Sequence, residues 1–198
     1  MAIIGISKIS VLGSNPSVPA RKTNYRTTHM PYQFKNPIWV NGLIDNKDFF
    51  ATFTKRFSEL ISQTKSGEDI TVFINSPGGD THTSLGLYDL LKKSDRNIIG
   101  IVSGIAYSGA SLILQGCKKR LMTTNSRIML HKSTVQVSGS VINAQAALDT
   151  FKALDDKYYE IYAERAGDKI EHIADMANKD KYFDASGALT AKLIDEII

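Results

Sequence analysis

Apolar residues in this chain fall into short continuous runs, separated by longer stretches in which they recur every three or four positions. From Pro37 onward the alternation is regular. Ile38-Trp39-Val40 reads as a strand, and Asp45-Asn46 is placed to cap a helix running to about Thr64, with apolar positions at Phe50, Phe53, Phe57, Leu60 and Ile61. Ile70-Thr71-Val72-Phe73-Ile74 is β-branched and aromatic, too short for a helix, and is predicted to stop at Ser76-Pro77-Gly78-Gly79. A helix carrying Leu85, Leu87, Tyr88, Leu90 and Leu91 follows. The next strand, Ile98-Ile99-Gly100-Ile101-Val102, is predicted to end at Ser103-Gly104, before a short apolar helix from Ser108 to about Leu114. Arg127-Ile128-Met129-Leu130-His131 reads as a further strand. Continuous apolar strands joined by helices predict an α/β fold whose parallel sheet is covered on both faces.

From about Ser140 to Ala166 the pattern changes. Ala144, Ala147, Leu148, Phe151, Leu154, Tyr158, Ile161 and Tyr162 form one stripe at helical spacing. A helix of roughly 25 residues would be about 38 Å long, enough to project beyond a domain of this size. Such a helix is expected to pack on a partner; the alternative is that it lies along its own core.

The two glycine-bearing turns carry the chemical information. If the apolar runs before Ser76-Pro77-Gly78-Gly79 and Gly104-Ile105-Ala106-Tyr107-Ser108-Gly109 are neighbouring parallel strands, their carboxyl ends share one sheet edge and the turns face each other. One turn would then offer bare backbone N–H groups and the other a serine hydroxyl at a helix start, the minimum equipment for serine acyl transfer. In this reading the N–H groups of Gly79 and Gly109 converge on one oxygen, where losing a donor costs ~3 to 4 kcal/mol of transition-state stabilisation. Ser108 is equally well placed to be a plain helix cap, and Gly78 and Gly79 to form a plain tight turn.

A hydroxyl nucleophile needs a base, and the chain has four histidines. His29 and His172 lie in polar surroundings and read as surface residues. His82 with Asp80 makes half a metal site without further clustered ligands, so neither a metal nor a cofactor is expected. His131, ending an apolar strand, is the strongest candidate. Spacing leaves its orienting acid open among Asp149, Asp155, Asp156, Asp168, Asp175, Asp180 and Asp184.

Composition narrows the setting. The chain has 198 residues, 42% of them hydrophobic, which suits one domain with a substantial core. Its single cysteine, Cys117, excludes an intrachain disulfide, favours a reducing compartment and reads as an inert buried thiol. No apolar run reaches the ~18 to 20 residues of a membrane span, so a soluble, cytoplasmic protein without a membrane partner is expected. The net charge of +4 does not imply nucleic acid: Lys8, Arg21, Lys22, Arg26 and Lys35 fall in an acid-free leader, and the rest of the chain is near neutral. Residues 1–36 are expected to be a basic segment that is mobile or processed, and residues 37–198 the folded domain. If the leader is a transit peptide, the destination is an organelle.

Taken together, these residues resemble the proteolytic subunit of the ATP-dependent Clp protease. Ile74-Asn75-Ser76-Pro77-Gly78-Gly79 looks like that family's glycine-rich turn, and Gly104-Ile105-Ala106-Tyr107-Ser108 like its nucleophile turn. Asn125 to His131 is similar to the strand that delivers its histidine. Asp180-Lys181-Tyr182-Phe183-Asp184-Ala185 occupies the place of its aspartate segment, and Leu193-Ile194-Asp195 echoes its closing motif. The resemblance implies a ClpP/crotonase-like fold in which the long helix is a projecting handle. It also implies a Ser108, His131, Asp180 triad, with Gly79 and Gly109 as oxyanion donors. The assembly it implies is a homo-oligomer of two stacked heptameric rings enclosing a chamber, fed by an AAA+ unfoldase, that cleaves peptides and unfolded proteins. The chain departs from the family's pattern at Lys132-Ser133, in place of Gln-Pro, and at Lys179, in place of arginine. Competing readings are a viral prohead-type maturation protease, a signal-peptide peptidase, an inactive ring subunit, and a crotonase-like acyl-CoA binder.

Overall fold

The computed structural model describes residues 34–45 and 47–198. The basic leader with His29, up to residue 33, and the cap residue Asn46 lie outside the described residues. Among the described residues, seven strands, β1 (Pro37–Ile44), β2 (Asp69–Gly79), β3 (Asn97–Tyr107), β4 (Lys119–Met122), β5 (Arg127–Leu130), β6 (Lys181–Phe183) and β7 (Glu196–Ile197), form one sheet. The order β1-β2-β3-β4-β7 is parallel throughout, and β6 alone runs antiparallel, against β5.

The long strand β3 has two partners on one edge. Its first half pairs with β4 from Ile99 to Val102, and its second half pairs with β5 from Ile105 to Tyr107. Where the partner changes, the Ser126 hydroxyl bridges the gap in the ladder. It accepts from the Gly104 N–H at 2.9 Å and donates to the Val102 carbonyl at 3.1 Å. This split aims β5, and His131 just after it, toward the end of β3 rather than along the main sheet.

Both predicted turns prove to be continuations of strands. β2 runs on through Ser76-Pro77-Gly78-Gly79, because Leu43 and Ile44 of β1 pair with Gly78 and Gly79. β3 runs on to Tyr107, because β5 pairs with its last residues. Backbone pairing overrides the local breaker signals here, and Pro77 sits where the ladder slips register, the place at which a missing N–H costs least. The expectation that the two glycine segments lie side by side is met, with Ser76 paired to Ala106.

The described residues also form six helices: α1 (Lys47–Gln63), α2 (Thr81–Lys92), α3 (Gly109–Gln115), α4 (Val141–Ala166), α5 (Ile170–Ala177) and α6 (Ala185–Thr190). α3 is buried along its whole length and packs on β2 and β3, between α2 and α4. The core joins strand residues such as Val40, Val72, Ile74 and Val102 to Phe53, Phe57, Leu87 and Leu112 from the helices. Cys117 is buried in it, and desolvation pushes its thiol up to about 12, as an inert thiol requires. Beyond the end of α1, the guanidinium of Arg96 donates to the Ile61 carbonyl at 2.8 Å and the Thr64 carbonyl at 2.7 Å, satisfying groups that helix ends leave unpaired.

α4 behaves as two halves. From Asp155 on, it packs against the core through Tyr159, Ile161, Tyr162, Ala163 and Ala166. Residues 141–154 include no buried residue, and Val141 and Ile142 are 85% and 81% exposed. The Ser140 hydroxyl accepts from the Asn143 N–H at its start, and Gly167, in the left-handed region, ends it.

Candidate active site

The end of β3 delivers Ser108 in an uncommon backbone conformation, φ 53° and ψ −127°, which costs an L-residue strain and is sustained only by its surroundings. The residue occupies the N-cap position of α3 but makes no side-chain cap hydrogen bond. Its hydroxyl lies instead 2.7 Å from Nε2 of His131. The hydroxyl is thus turned to the histidine rather than to the start of the helix.

His131 reaches this position because β5 pairs with β3 and because the Ser108 N–H donates to the Met129 carbonyl at 2.9 Å. Those two ties hold the Ser108 turn and the histidine strand in register. On the far side of His131, the Ser133 N–H donates to the carboxylate of Asp155, at 3.1 Å. Asp155 is 6% exposed, so α4 grips the segment directly after the histidine.

The glycine segment closes the site from β2. A Cβ added at Gly78 (φ 90°) would fall 2.5 Å from the Tyr107 carbonyl oxygen, 2.9 Å from the Gly109 nitrogen and 2.9 Å from the Ser108 Cβ. Only glycine permits that approach. At Gly79, next along, a Cβ would overlap the Ile44 carbonyl of β1. Gly109 opens α3, so its N–H belongs to the first turn, whose donors have no partner within the helix. Beside these groups lies a cleft of 250 Å³, bordered by Leu43, Gly79, Thr81, Ser108, His131 and Tyr158. The phenol of Tyr158 is pushed up by burial, with hydrogen bonds from Ser84 and Thr81 pulling the other way, so it lines the cleft as a neutral hydroxyl.

Asp180 stands next to this pair along the chain path. The β5–β6 ladder pairs Leu130 with Lys181, so one further step sets His131 across from Asp180. The Ala177 carbonyl accepts from both the Lys132 and the Asp180 N–H groups, tying the two segments together. Asp180 is exposed with φ 47°, and among the described residues no hydrogen bond joins its carboxylate to the imidazole. Of the other carboxylates left open by spacing, Asp168 bonds His172, Asp175 bonds Lys179 and Asp184 caps α6, so each is engaged elsewhere. Asp80 is likewise occupied as the cap of α2, accepting from Thr83, and His82 is exposed.

Nothing in the sequence marks Thr81, Ser133 or Tyr158 as bordering a cleft. Tyr158 belongs to the helical stripe, and a stripe signals packing without saying which of its members borders a cleft.

The family model for Clp protease matches residues 41–198. Among curated proteins, the chain is 28% identical over 180 residues to the ATP-dependent Clp protease proteolytic subunit 3 of Rhodococcus jostii, covering 88% of this chain and 87% of that one. It is 30% identical over 163 residues to the ATP-dependent Clp protease proteolytic subunit of Bacteroides fragilis, covering 81% and 78%. It is also 30% identical over 141 residues to proteolytic subunit 2 of Corynebacterium glutamicum, covering 70% of each chain. The match takes in the second half of β1 and every element after it, and on that ground the chain belongs to the Clp protease family.

Proposed function

We propose that this chain hydrolyses peptide bonds as a Clp-type serine peptidase, with Ser108 as nucleophile and His131 as general base. The observation that carries the reading is the 2.7 Å approach of the Ser108 hydroxyl to His131 Nε2, made by a serine that leaves its helix-cap role unused. An imidazole with its proton on Nδ1 has Nε2 free to accept the hydroxyl proton as Oγ attacks the substrate carbonyl. The resulting imidazolium then gives that proton to the leaving amine, and water repeats the cycle on the acyl-enzyme. The N–H groups of Gly79 and Gly109 stabilise the oxyanion of each tetrahedral intermediate. Asp180, one ladder step from His131, is the acid that orients the ring, its carboxylate swinging onto Nδ1 when the catalytic geometry is complete.

The exposed half of α4 supports assembly with further copies of this chain, which in this family means two stacked heptameric rings around a chamber. Substrates are short peptides and unfolded proteins, the latter delivered by an AAA+ unfoldase, and the setting is cytoplasmic. The test is to label the purified oligomer with a fluorophosphonate and map the modified residue. Modification at Ser108, lost in His131→Ala, is expected. An assembled particle that stays unmodified would overturn the assignment.

A further inference from the structure

Next to the nucleophile lies a buried pair of hydroxyls, which line a small pocket together with Ser108, His131 and Tyr158. Ser111 is fully buried and Tyr162 is 3% exposed, and their oxygens are 2.6 Å apart. The Ser111 hydroxyl donates to the Ser108 carbonyl at 2.7 Å, with the Met129 carbonyl as a second acceptor at 3.3 Å. A serine hydroxyl has one proton, so while Ser111 gives it to Ser108, the proton between the two hydroxyls comes from Tyr162. The chain of donation therefore runs in one direction, from α4 through α3 to the nucleophile turn. Burial pushes the Tyr162 phenol up, which keeps its proton in place for this role.

What this chain of hydroxyls holds is a single peptide plane. The carbonyl of Ser108 and the N–H of Gly109 belong to the same trans peptide unit, so they point in opposite directions. Turning the carbonyl toward Ser111 turns the Gly109 N–H away from it; a Cβ on Gly78 would stand 2.9 Å from that nitrogen, so the glycine of β2 keeps the space beside it open. The Ser111 and Leu112 N–H groups also reach the Ser108 carbonyl, at 2.9 and 3.3 Å, but the hydroxyl makes the shortest of the three bonds. Met129 matters as well, because its carbonyl binds the Ser108 N–H and its strand ends next to His131. Ser111 thus touches both walls of the joint that sets the Ser108 to His131 distance.

We infer that Ser111 and Tyr162 are positioning residues, which fix the Ser108–Gly109 peptide so that its N–H faces the oxyanion and Ser108 faces His131. The inference rests on the reading of Ser108 as nucleophile and goes beyond it, by making the inner face of α4 part of the catalytic apparatus. Tyr162 lies seven residues after Asp155, two helical turns along the same face, and Asp155 holds the segment following His131. One helix face therefore steadies both members of the pair.

The test uses the assembled full chain and a short peptide bearing a C-terminal aminocoumarin. An oxyanion donor acts on the transition state alone, so Ser111→Ala is expected to lower kcat on the order of 10- to 100-fold with KM nearly unchanged. Tyr162→Phe is expected to lower kcat about 10-fold, and adding it to Ser111→Ala to cost nothing more, because Tyr162 works through Ser111. Ser111→Thr, which keeps the hydroxyl, should restore most of the rate. Singles with wild-type kcat, or losses that multiply in the double variant, overturn the inference. If Tyr162→Phe does not assemble, the Ser111→Ala and Ser111→Thr pair decides alone. A wild type labelled at Ser108 with silent Ser111 and Tyr162 variants defeats only the positioning role, whereas a wild type unlabelled at Ser108 defeats the catalytic reading and this inference with it.

Discussion

The Ser108 hydroxyl meets His131 Nε2 at 2.7 Å across 23 residues of sequence, while the backbone of Ser108 is simultaneously bonded to Met129, two residues before that histidine. Ser108 and His131 are thus fixed to one another by main chain as well as side chain. Ser108→Ala should remove hydrolysis by a factor of at least about 10⁴ and leave the oligomer intact, because backbone pairing alone maintains the turn. Peptidase rates beside size-exclusion profiles check this, and substantial activity in the alanine variant would refute the assignment.

Asp180 is held with φ 47°, a conformation that asparagine adopts as readily as aspartate. Asp180→Asn should therefore preserve the backbone while lowering turnover by roughly 10⁴-fold, the cost of losing the carboxylate that orients a catalytic imidazole. Asp155→Asn keeps an acceptor for the Ser133 N–H and should be far milder. Steady-state kinetics on both variants separate the two carboxylates, and a reversed order would move the orienting role to Asp155.

Gly78 is where β2 comes closest to the nucleophile turn. Gly78→Ala sets a methyl group against the Tyr107 carbonyl and the Gly109 nitrogen, at a φ of 90° that itself costs about 1 to 3 kcal/mol. The expected result is a folded but destabilised chain whose fluorophosphonate labelling falls much further than its melting temperature suggests. Equal labelling rates in the alanine variant and wild type would show that the approach has no bearing on reactivity.

The carboxylate of Asp195 receives the Arg120 backbone N–H at 2.8 Å and the same residue's guanidinium. Burial raises its pKa, and the bonds and charge of Arg120 more than reverse this, so the group ends below the ordinary carboxylate value. A depressed carboxylate contributes stability that is fully present above the unfolded pKa, near about 3.9, and is lost as the pH falls through the lower folded value. Asp195→Asn should cost less than the ~3 to 5 kcal/mol of breaking a fully buried pair, since the Asp195 side chain is 36% exposed. Thermal melts between pH 6 and about pH 2 should show the gap between wild type and variant closing on acidification. A gap of constant size would mean that Asp195 does not act through its charge.

Much of the domain could be read from residue order because its central strands are continuous β-branched runs and its helices carry clear apolar stripes. Three of the short strands could not. Lys119-Arg120-Leu121-Met122 opens with two cations, Lys181-Tyr182-Phe183 is a single triplet, and Glu196-Ile197 a mere pair; each is a strand only because a distant partner completes its ladder. Ser108 and His131 stood out because each ends an apolar run, a local signal. Asp180 did not, since its nearness to His131 comes from the β5–β6 ladder, and spacing alone left it among seven aspartates. The Ser111–Tyr162 contact joins hydroxyls 51 residues apart, and nothing local marks either one.

The order in which the strands follow one another along the chain also sets a schedule during synthesis. β5 leaves the ribosome some 50 residues before β6, the strand that pairs with it, and β7 joins β4 later still. β3 and β5 can meet as soon as both have emerged, whereas Asp180 arrives only with β6. Until that late stretch has been made, His131 lacks the carboxylate segment that lies across from it, and the site of a growing chain stays incomplete.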